Sequence, residues 1–316
     1  MNRPHICLSV AAMDGAFEKM YRALQPLADV QICGLGDYSL AGADIFIGKQ
    51  MDAKKLEGAD RLKAVFAYKT GVDDFPVGEF AKRGIMLVNS HVNSRYIAEY
   101  AFGLAVTLVS RIAEFDRRMR RGDWSSGDPY WKSLFGMKAG LVGYGHIGRE
   151  IANLLTANGI PCVTIDRGKN YGSGKAVESL QRLCSEADIL FLSLPKTEQT
   201  DNMFNGSIFG LLAGKYLVNV GRSNCIDEAA LFKALKSGGM GGAAIDTWKV
   251  KSRKEGEVLF PFTYPFNELE NVVLSSHKAM QLSDGHERYV ADITRCVADY
   301  INGSVPENIV DCSKGY

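Results

Sequence analysis

Six residues near the middle of the chain have the types and spacing of a phosphate-binding turn: Gly143-Tyr144-Gly145-His146-Ile147-Gly148. The first glycine allows a sharp turn and the second lets a pyrophosphate approach the backbone. The third lets the following helix lie close to the preceding strand, with the free N–H groups of the helix facing the phosphates. Eighteen residues beyond Gly148 stands Asp166. A carboxylate at that place accepts hydrogen bonds from the ribose hydroxyls of NAD and repels the 2′-phosphate of NADP. Arg167 and Lys169 follow it and would pair with that phosphate if Asp166 rotated away; the acid favours NAD, with NADP second. On their own, these residues announce only that a dinucleotide binds.

The elements that must position this turn are legible around it. Ala139 to Val142 reads as a short buried strand, and Ile147, Ile151, Leu154 and Leu155 recur at helical spacing just after the glycines. Cys162 to Ile165 is a second strand, ending at Asp166. Upstream, Ile6 to Val10, Val30 to Cys33, Asp44 to Ile47, Ala64 to Ala67 and Met86 to Val88 read as strands separated by helices or turns. A long helix is expected from Ser94 to about Arg121, with Ile97, Ala101, Leu104, Ala105, Leu108 and Ile112 as its apolar stripe. Downstream, further strands are expected at Ile189–Leu192, Tyr216–Asn219, Gly242–Ile245 and Val272–Leu274, with an amphipathic helix from Arg288 to Ile301. Alternation throughout predicts an α/β fold with parallel sheets and right-handed helical crossovers.

With 316 residues, the chain exceeds what one core usually supports, so two domains are expected. Residues 1–93 with 284–316 would form one, and 94–283 the other. A hydrophobic share of 46% and a net charge of +1 point away from disorder and from a polyanion-binding face, so nucleic acid is not an expected partner. The basic run Arg117-Arg118-Met119-Arg120-Arg121 reads as a solvated helix end. No apolar run has the length of a membrane span, and no leader pattern opens the chain. Seven scattered cysteines without a CxxC pair fit reduced thiols in cytoplasm, and the five histidines show no metal-ligand spacing, so no metal is expected.

Several segments, in order and at matching separations, make the chain resemble the D-isomer-specific 2-hydroxyacid dehydrogenases. They are Thr70-Gly71-Val72-Asp73, Ala98-Glu99, GLVGYGHIGREIA at 140–152, LSLPKTEQT at 192–200, LVNVGRSNCIDEAALFKALKSG at 217–238, GAAIDTW at 242–248 and NVVLSSH at 271–277. The resemblance implies two Rossmann-like doubly wound domains, a flavodoxin-like substrate domain and an NAD-binding domain, with the active site in the cleft, and a homodimer joined through the NAD-binding domains. It implies hydride transfer between NAD(H) and a 2-oxo acid or D-2-hydroxy acid. Arg222 would clamp the substrate carboxylate, since a planar guanidinium grips two oxygens at once. His277 would serve as general acid in reduction and base in oxidation, as an imidazole suits both near neutrality. Gly143, Gly145, His146, Ile147, Gly148, Asp166 and Arg167 would hold the cofactor. Pro195 and Thr200 would lie near its adenosine half, and Val220 and Asp246 at the nicotinamide side, Asp246 on the carboxamide. Backbone N–H groups of Thr70 and Gly71 would contact the substrate carboxylate.

Two departures from the family pattern stand out. The family pairs its histidine with a glutamate a few residues past the segment ending at Trp248. Counting forward from Asp246 reaches Lys251, and counting back from His277 reaches Lys254; Glu255 is the candidate if the loop is displaced by a small insertion. Without that carboxylate, slow turnover or a nicotinamide-binding regulator with little catalysis becomes the competing expectation. Lys69 stands where the family commonly has a small residue. It is either solvated or a cation beside Arg222 that would favour a substrate with a second anionic group.

Overall fold

The computed structural model describes residues 3–124, 130–165, 175–249 and 260–316. The chain divides into one unit of Met1–Asn93 with Leu282–Tyr316, and another of Ser94–Gln281.

The first unit opens with β1 (His5–Ser9), α1 (Gly15–Leu24), β2 (Asp29–Cys33), β3 (Ile45–Gly48), β4 (Ala64–Ala67), α2 (Val77–Arg83) and β5 (Met86–Val88). All pairings are parallel, in the order β2-β1-β3-β4-β5. The strand order reverses between β1 and β3, and ligands of such sheets bind outside the carboxyl ends at that point. Every residue of β3 and β4 is buried, as expected of parallel strands covered on both faces. Asp14 starts α1 by accepting the N–H groups of Ala16 and Phe17, both at 3.0 Å.

The second unit continues with α3 (Ser94–Val109), α4 (Ile112–Met119), β6 (Ala139–Val142), α5 (His146–Ala157), β7 (Cys162–Ile165), β8 (Lys175–Val177) and α6 (Leu180–Glu186). It closes with β9 (Ile189–Leu192), α7 (Gly206–Phe209), β10 (Tyr216–Asn219), α8 (Glu228–Lys236), β11 (Gly242–Ile245) and β12 (Val272–Leu274). The seven strands form one parallel sheet, β12-β11-β10-β9-β6-β7-β8, whose order reverses at β6 and β9. Apolar side chains cover both faces, with Leu190, Leu217 and Ala243 on one and Phe191, Val218 and Ala244 on the other. The chain then returns to the first unit as α9 (Gly285–Ile301), whose Tyr289, Val290, Ile293 and Val297 pack into the same cluster as Phe17, Met20 and Leu24 of α1.

The long helix expected from Ser94 breaks into α3 and α4, bent by 62°. The cause is Arg111, which takes a left-handed φ of 56° and grips Glu114 with two hydrogen bonds of 2.7 and 2.6 Å. Glu114 is buried, so the ion pair fixes the corner, which a periodicity of apolar residues cannot reveal. β8 was also not among the expected strands; three residues at a sheet edge carry little pattern. Among the described residues, no single helix is long and apolar enough to cross a membrane.

Candidate active site

The glycine turn sits where the sheet of the second unit reverses. Gly143 follows β6 with φ +99°, a conformation that L side chains rarely adopt, and its carbonyl accepts the Ser193 hydroxyl at 3.0 Å from the end of β9. Gly148 lies so close to the turn that a Cβ there would stand 2.1 Å from the Gly143 oxygen. Gly145 differs: a Cβ there would meet nothing within 4 Å, and no side chain caps the first turn of α5 that it opens. An uncapped helix start with open space at its N-cap suits a pyrophosphate. Ile147 packs into the core beneath, while His146 stands exposed in the first turn. Desolvation and the Arg149 guanidinium hold the imidazole of His146 below the usual histidine range. Asp166, Arg167 and Glu255 lie outside the described residues.

After β9, Pro195 and Thr200 belong to one closed loop. The Thr200 hydroxyl donates to the Pro195 carbonyl at 2.8 Å and accepts the Thr197 N–H at 3.0 Å. Thr200 is buried, so it shapes the loop that presents Pro195. Val220 extends β10 by donating to the Leu192 carbonyl at 3.1 Å.

Arg222 and His277 each stand three residues past the end of a strand, β10 and β12, on either side of β11 in the sheet. Their loops are held by buried polar side chains. Asn219, wholly buried, accepts the Gly221 N–H at 3.0 Å and donates to the Arg222 carbonyl and the Thr247 hydroxyl, both at 3.2 Å. Every hydrogen-bonding atom of its amide fixes the turn that carries the guanidinium, which is half-buried. Cys225 adds a bond from its thiol to the Arg222 carbonyl at 2.9 Å.

His277 is exposed and has φ +58°, in the left-handed region. The turn around it is pinned by Asp246. The Asp246 carbonyl accepts the His277 N–H at 2.9 Å, and its carboxylate accepts the N–H groups of Lys278 at 2.8 Å and Ala279 at 3.2 Å together with the Ser275 hydroxyl. Asp246 has no exposed surface, and its carboxylate oxygens hold the turn. The Trp248 indole N–H closes the other side on the Ser275 carbonyl at 2.9 Å. No carboxylate among the described residues bonds the His277 ring.

In the first unit, the expected substrate residues lie on the loop after β4. Thr70 is held by its hydroxyl, which bonds the Ser90 carbonyl at 2.8 Å and the Tyr289 hydroxyl at 2.9 Å, and by its carbonyl, which accepts from the Asn89 amide at 2.6 Å. Gly71 follows, half-buried. The Lys69 side chain is 15% exposed, its ammonium is paired with Asp74, and it lies 5.6 Å from the centroid of the Phe75 ring.

Asn219, Ser275 and Tyr100, which bonds Ser275, were not among the residues expected at the site. For Asn219 a signal existed, an amide at a strand end two residues before a glycine, which is the pattern of a side chain bonding its own turn. For Ser275 and Tyr100 no local pattern exists.

Residues 102–279 match the family described as D-isomer specific 2-hydroxyacid dehydrogenase, NAD binding domain. The chain is 30% identical over 274 residues to a glyoxylate reductase of Korarchaeum cryptofilum, covering 83% of this chain and 80% of that one. It is 29% identical over 264 residues to a D-3-phosphoglycerate dehydrogenase of Haemophilus influenzae, covering 82% of this chain. It spans 64% of the length of that relative and 56% of a Schizosaccharomyces pombe relative. A crystal structure of a Pyrococcus horikoshii protein superposes with a TM-score of 0.85 at 28% identity, covering 98% of this chain and 96% of that one.

Proposed function

The chain belongs to the D-isomer-specific 2-hydroxyacid dehydrogenase family, and from that premise we propose that it reduces a small 2-oxo acid to a D-2-hydroxy acid with NADH. It is an oxidoreductase that uses a nicotinamide dinucleotide. When bound, that cofactor supplies the hydride or takes it back. The observation that carries the reading is the placement of Arg222 and His277 at the carboxyl edge of one sheet, at matched distances past β10 and β12. Ligands of doubly wound sheets bind at that edge.

In this reading, the turn Gly143–Gly148 and the start of α5 hold the pyrophosphate, with His146 and Ile147 in its first turn. Pro195 and Val220 border the cofactor, and Thr200 closes the loop that bears Pro195. The Arg222 guanidinium grips the substrate carboxylate and turns the carbonyl toward the hydride donor. Thr70 and Gly71 offer backbone N–H groups to the same carboxylate, with Lys69 beside them on Asp74. His277 donates its proton to the carbonyl oxygen as the hydride arrives at carbon, and in the reverse direction its neutral ring takes the hydroxyl proton. Glu255 is the proposed partner of that imidazole. NAD is preferred over NADP because of the acid at position 166, with Arg167 on the ribose side.

We further propose that the protein is cytoplasmic and a homodimer. Its seven cysteines are free thiols, which suits a reducing compartment. Trp124, Trp131 and Phe135 of the second unit are 84%, 57% and 71% exposed, and large exposed apolar side chains are the kind that a partner subunit covers. Light scattering is expected to give twice the chain mass, with replacement of Trp131 and Phe135 by serine shifting the mass toward that of one chain; a wild-type monomer contradicts the proposal.

The activity is tested by following NADH oxidation with glyoxylate, hydroxypyruvate, pyruvate, phenylpyruvate and 2-oxoglutarate. At least one should be consumed, with a lower KM for NADH than for NADPH. In Arg222→Lys, kcat/KM for that acid should fall about 50-fold, mostly through KM, as a fork of charge-assisted bonds is lost. Tight NADH binding with no acid consumed would sink the reading.

A further inference from the structure

A chain of hydroxyl and carboxylate groups, buried at Ser275 and Asp246, runs from the helix α3 to the backbone of the His277 turn. The Tyr100 hydroxyl lies 2.9 Å from the Ser275 hydroxyl, which is 175 positions away in sequence. Ser275 bonds the Asp246 carboxylate, and that carboxylate receives the N–H groups of Lys278 and Ala279. The directions follow from the chemistry. A carboxylate only accepts, so the Ser275 O–H donates to Asp246, and the Ser275 oxygen is then left to accept the Tyr100 O–H. Asp246 is wholly buried and Ser275 nearly so, at 9%, where each such bond is strong and each loss costly.

The chain ends on strained backbone. His277 has φ +58°, a conformation uncommon for a residue with a Cβ, which its surroundings must hold. Bonds hold it from both sides: the Asp246 carbonyl on its own N–H, and the Asp246 carboxylate on the two N–H groups that follow. An Asp246 free to swing would release both of the latter. Its rotamer is set from behind by Ser275, whose own position is set by Tyr100 and by the Trp248 indole on its carbonyl.

We propose that Tyr100 and Ser275 are positioning residues for His277: they lock the Asp246 carboxylate and thereby the left-handed turn that aims the imidazole. This rests on the reading of His277 as the general acid and base. Neither residue touches substrate. Tyr100 acts through two side chains, and its effect is on where the ring stands.

Two readouts test this. In Tyr100→Phe and Ser275→Ala, kcat is expected to fall about tenfold while KM for the 2-oxo acid and affinity for NADH hold, because proton transfer depends steeply on the placement of the donor. Ser275→Thr keeps the hydroxyl and should restore kcat. Separately, the imidazole Hε1 resonance of His277 in the wild-type protein, identified by its loss in His277→Gln, should shift or broaden in Tyr100→Phe and Ser275→Ala and return in Ser275→Thr. The resonances of His5 and His146 should stay, which excludes general loosening. A His277 resonance unmoved in both variants overturns the proposal, as does a tenfold fall in kcat accompanied by an equal rise in the dissociation constant for NADH. A resonance that moves in an enzyme that turns over no 2-oxo acid upholds the positioning and refutes the catalytic reading alone.

Discussion

Replacing His277 by glutamine is expected to lower kcat for 2-oxo acid reduction by about 10³-fold, within the range usual for loss of a general acid, while the affinity for NADH stays within about twofold. The asymmetry follows from the layout of the second unit. His277 stands beyond β12 and the glycine turn beyond β6, with β11, β10 and β9 between them in the sheet. The turn that bears His277 is bonded through its backbone and through Asp246, so removal of the ring leaves those bonds in place. Glutamine keeps a side chain that can bond a carbonyl oxygen but supplies no proton to it. The measurement is steady-state kcat together with titration of NADH fluorescence. A variant that retains more than a tenth of the wild-type kcat would remove His277 from the reaction and leave the proton to another group.

Alanine at Gly148 and alanine at Gly145 should fail in opposite ways. At Gly148 the added Cβ would stand 2.1 Å from the Gly143 carbonyl oxygen and 3.2 Å from the Ser193 hydroxyl oxygen. Backbone cannot yield as a flexible side chain does, so α5 must move off β6, at a cost of about 3 kcal/mol. For a unit of this size that lowers the melting temperature by roughly 10 °C. At Gly145 the Cβ meets nothing within 4 Å, and the backbone, at φ −79°, accepts an L residue. Stability should therefore change by less than about 0.5 kcal/mol. The methyl group would occupy the space where a pyrophosphate meets the first turn of α5, so the dissociation constant for NADH should rise at least about tenfold, as close backbone approach to the phosphates is lost. Calorimetric melting and NADH titration of the two variants separate packing from binding. Unchanged NADH affinity in Gly145→Ala would place the phosphates elsewhere.

How much of this site could be read from the chain depended on how local each part is. The strand, turn and helix around Gly143–Gly148 occupy consecutive residues, and hydrophobic period and glycine spacing are properties of consecutive residues. β6, β7, β9, β10, β11 and β12 stand where alternation and short apolar runs placed them. Arg222 and His277 each follow a strand directly, as the short apolar runs before them led one to expect, while their proposed roles came from the family resemblance. The break at Arg111 was not, because it depends on one ion pair with a buried glutamate rather than on any period.

The sequence by itself determined the two parallel α/β sheets and the dinucleotide turn, since short-range pattern and turn chemistry suffice for each. Only the tertiary structure decided which groups Asp246 bonds, what Lys69 is paired with, and that Tyr100 reaches Ser275. Asp246 meets Ser275 across 29 positions, and Tyr100 meets it across 175. Bonds over such separations exist because packing of strands and helices brings the groups together, and no local pattern encodes them. They meet beside the left-handed turn at His277, where each bond sheltered from water counts for more.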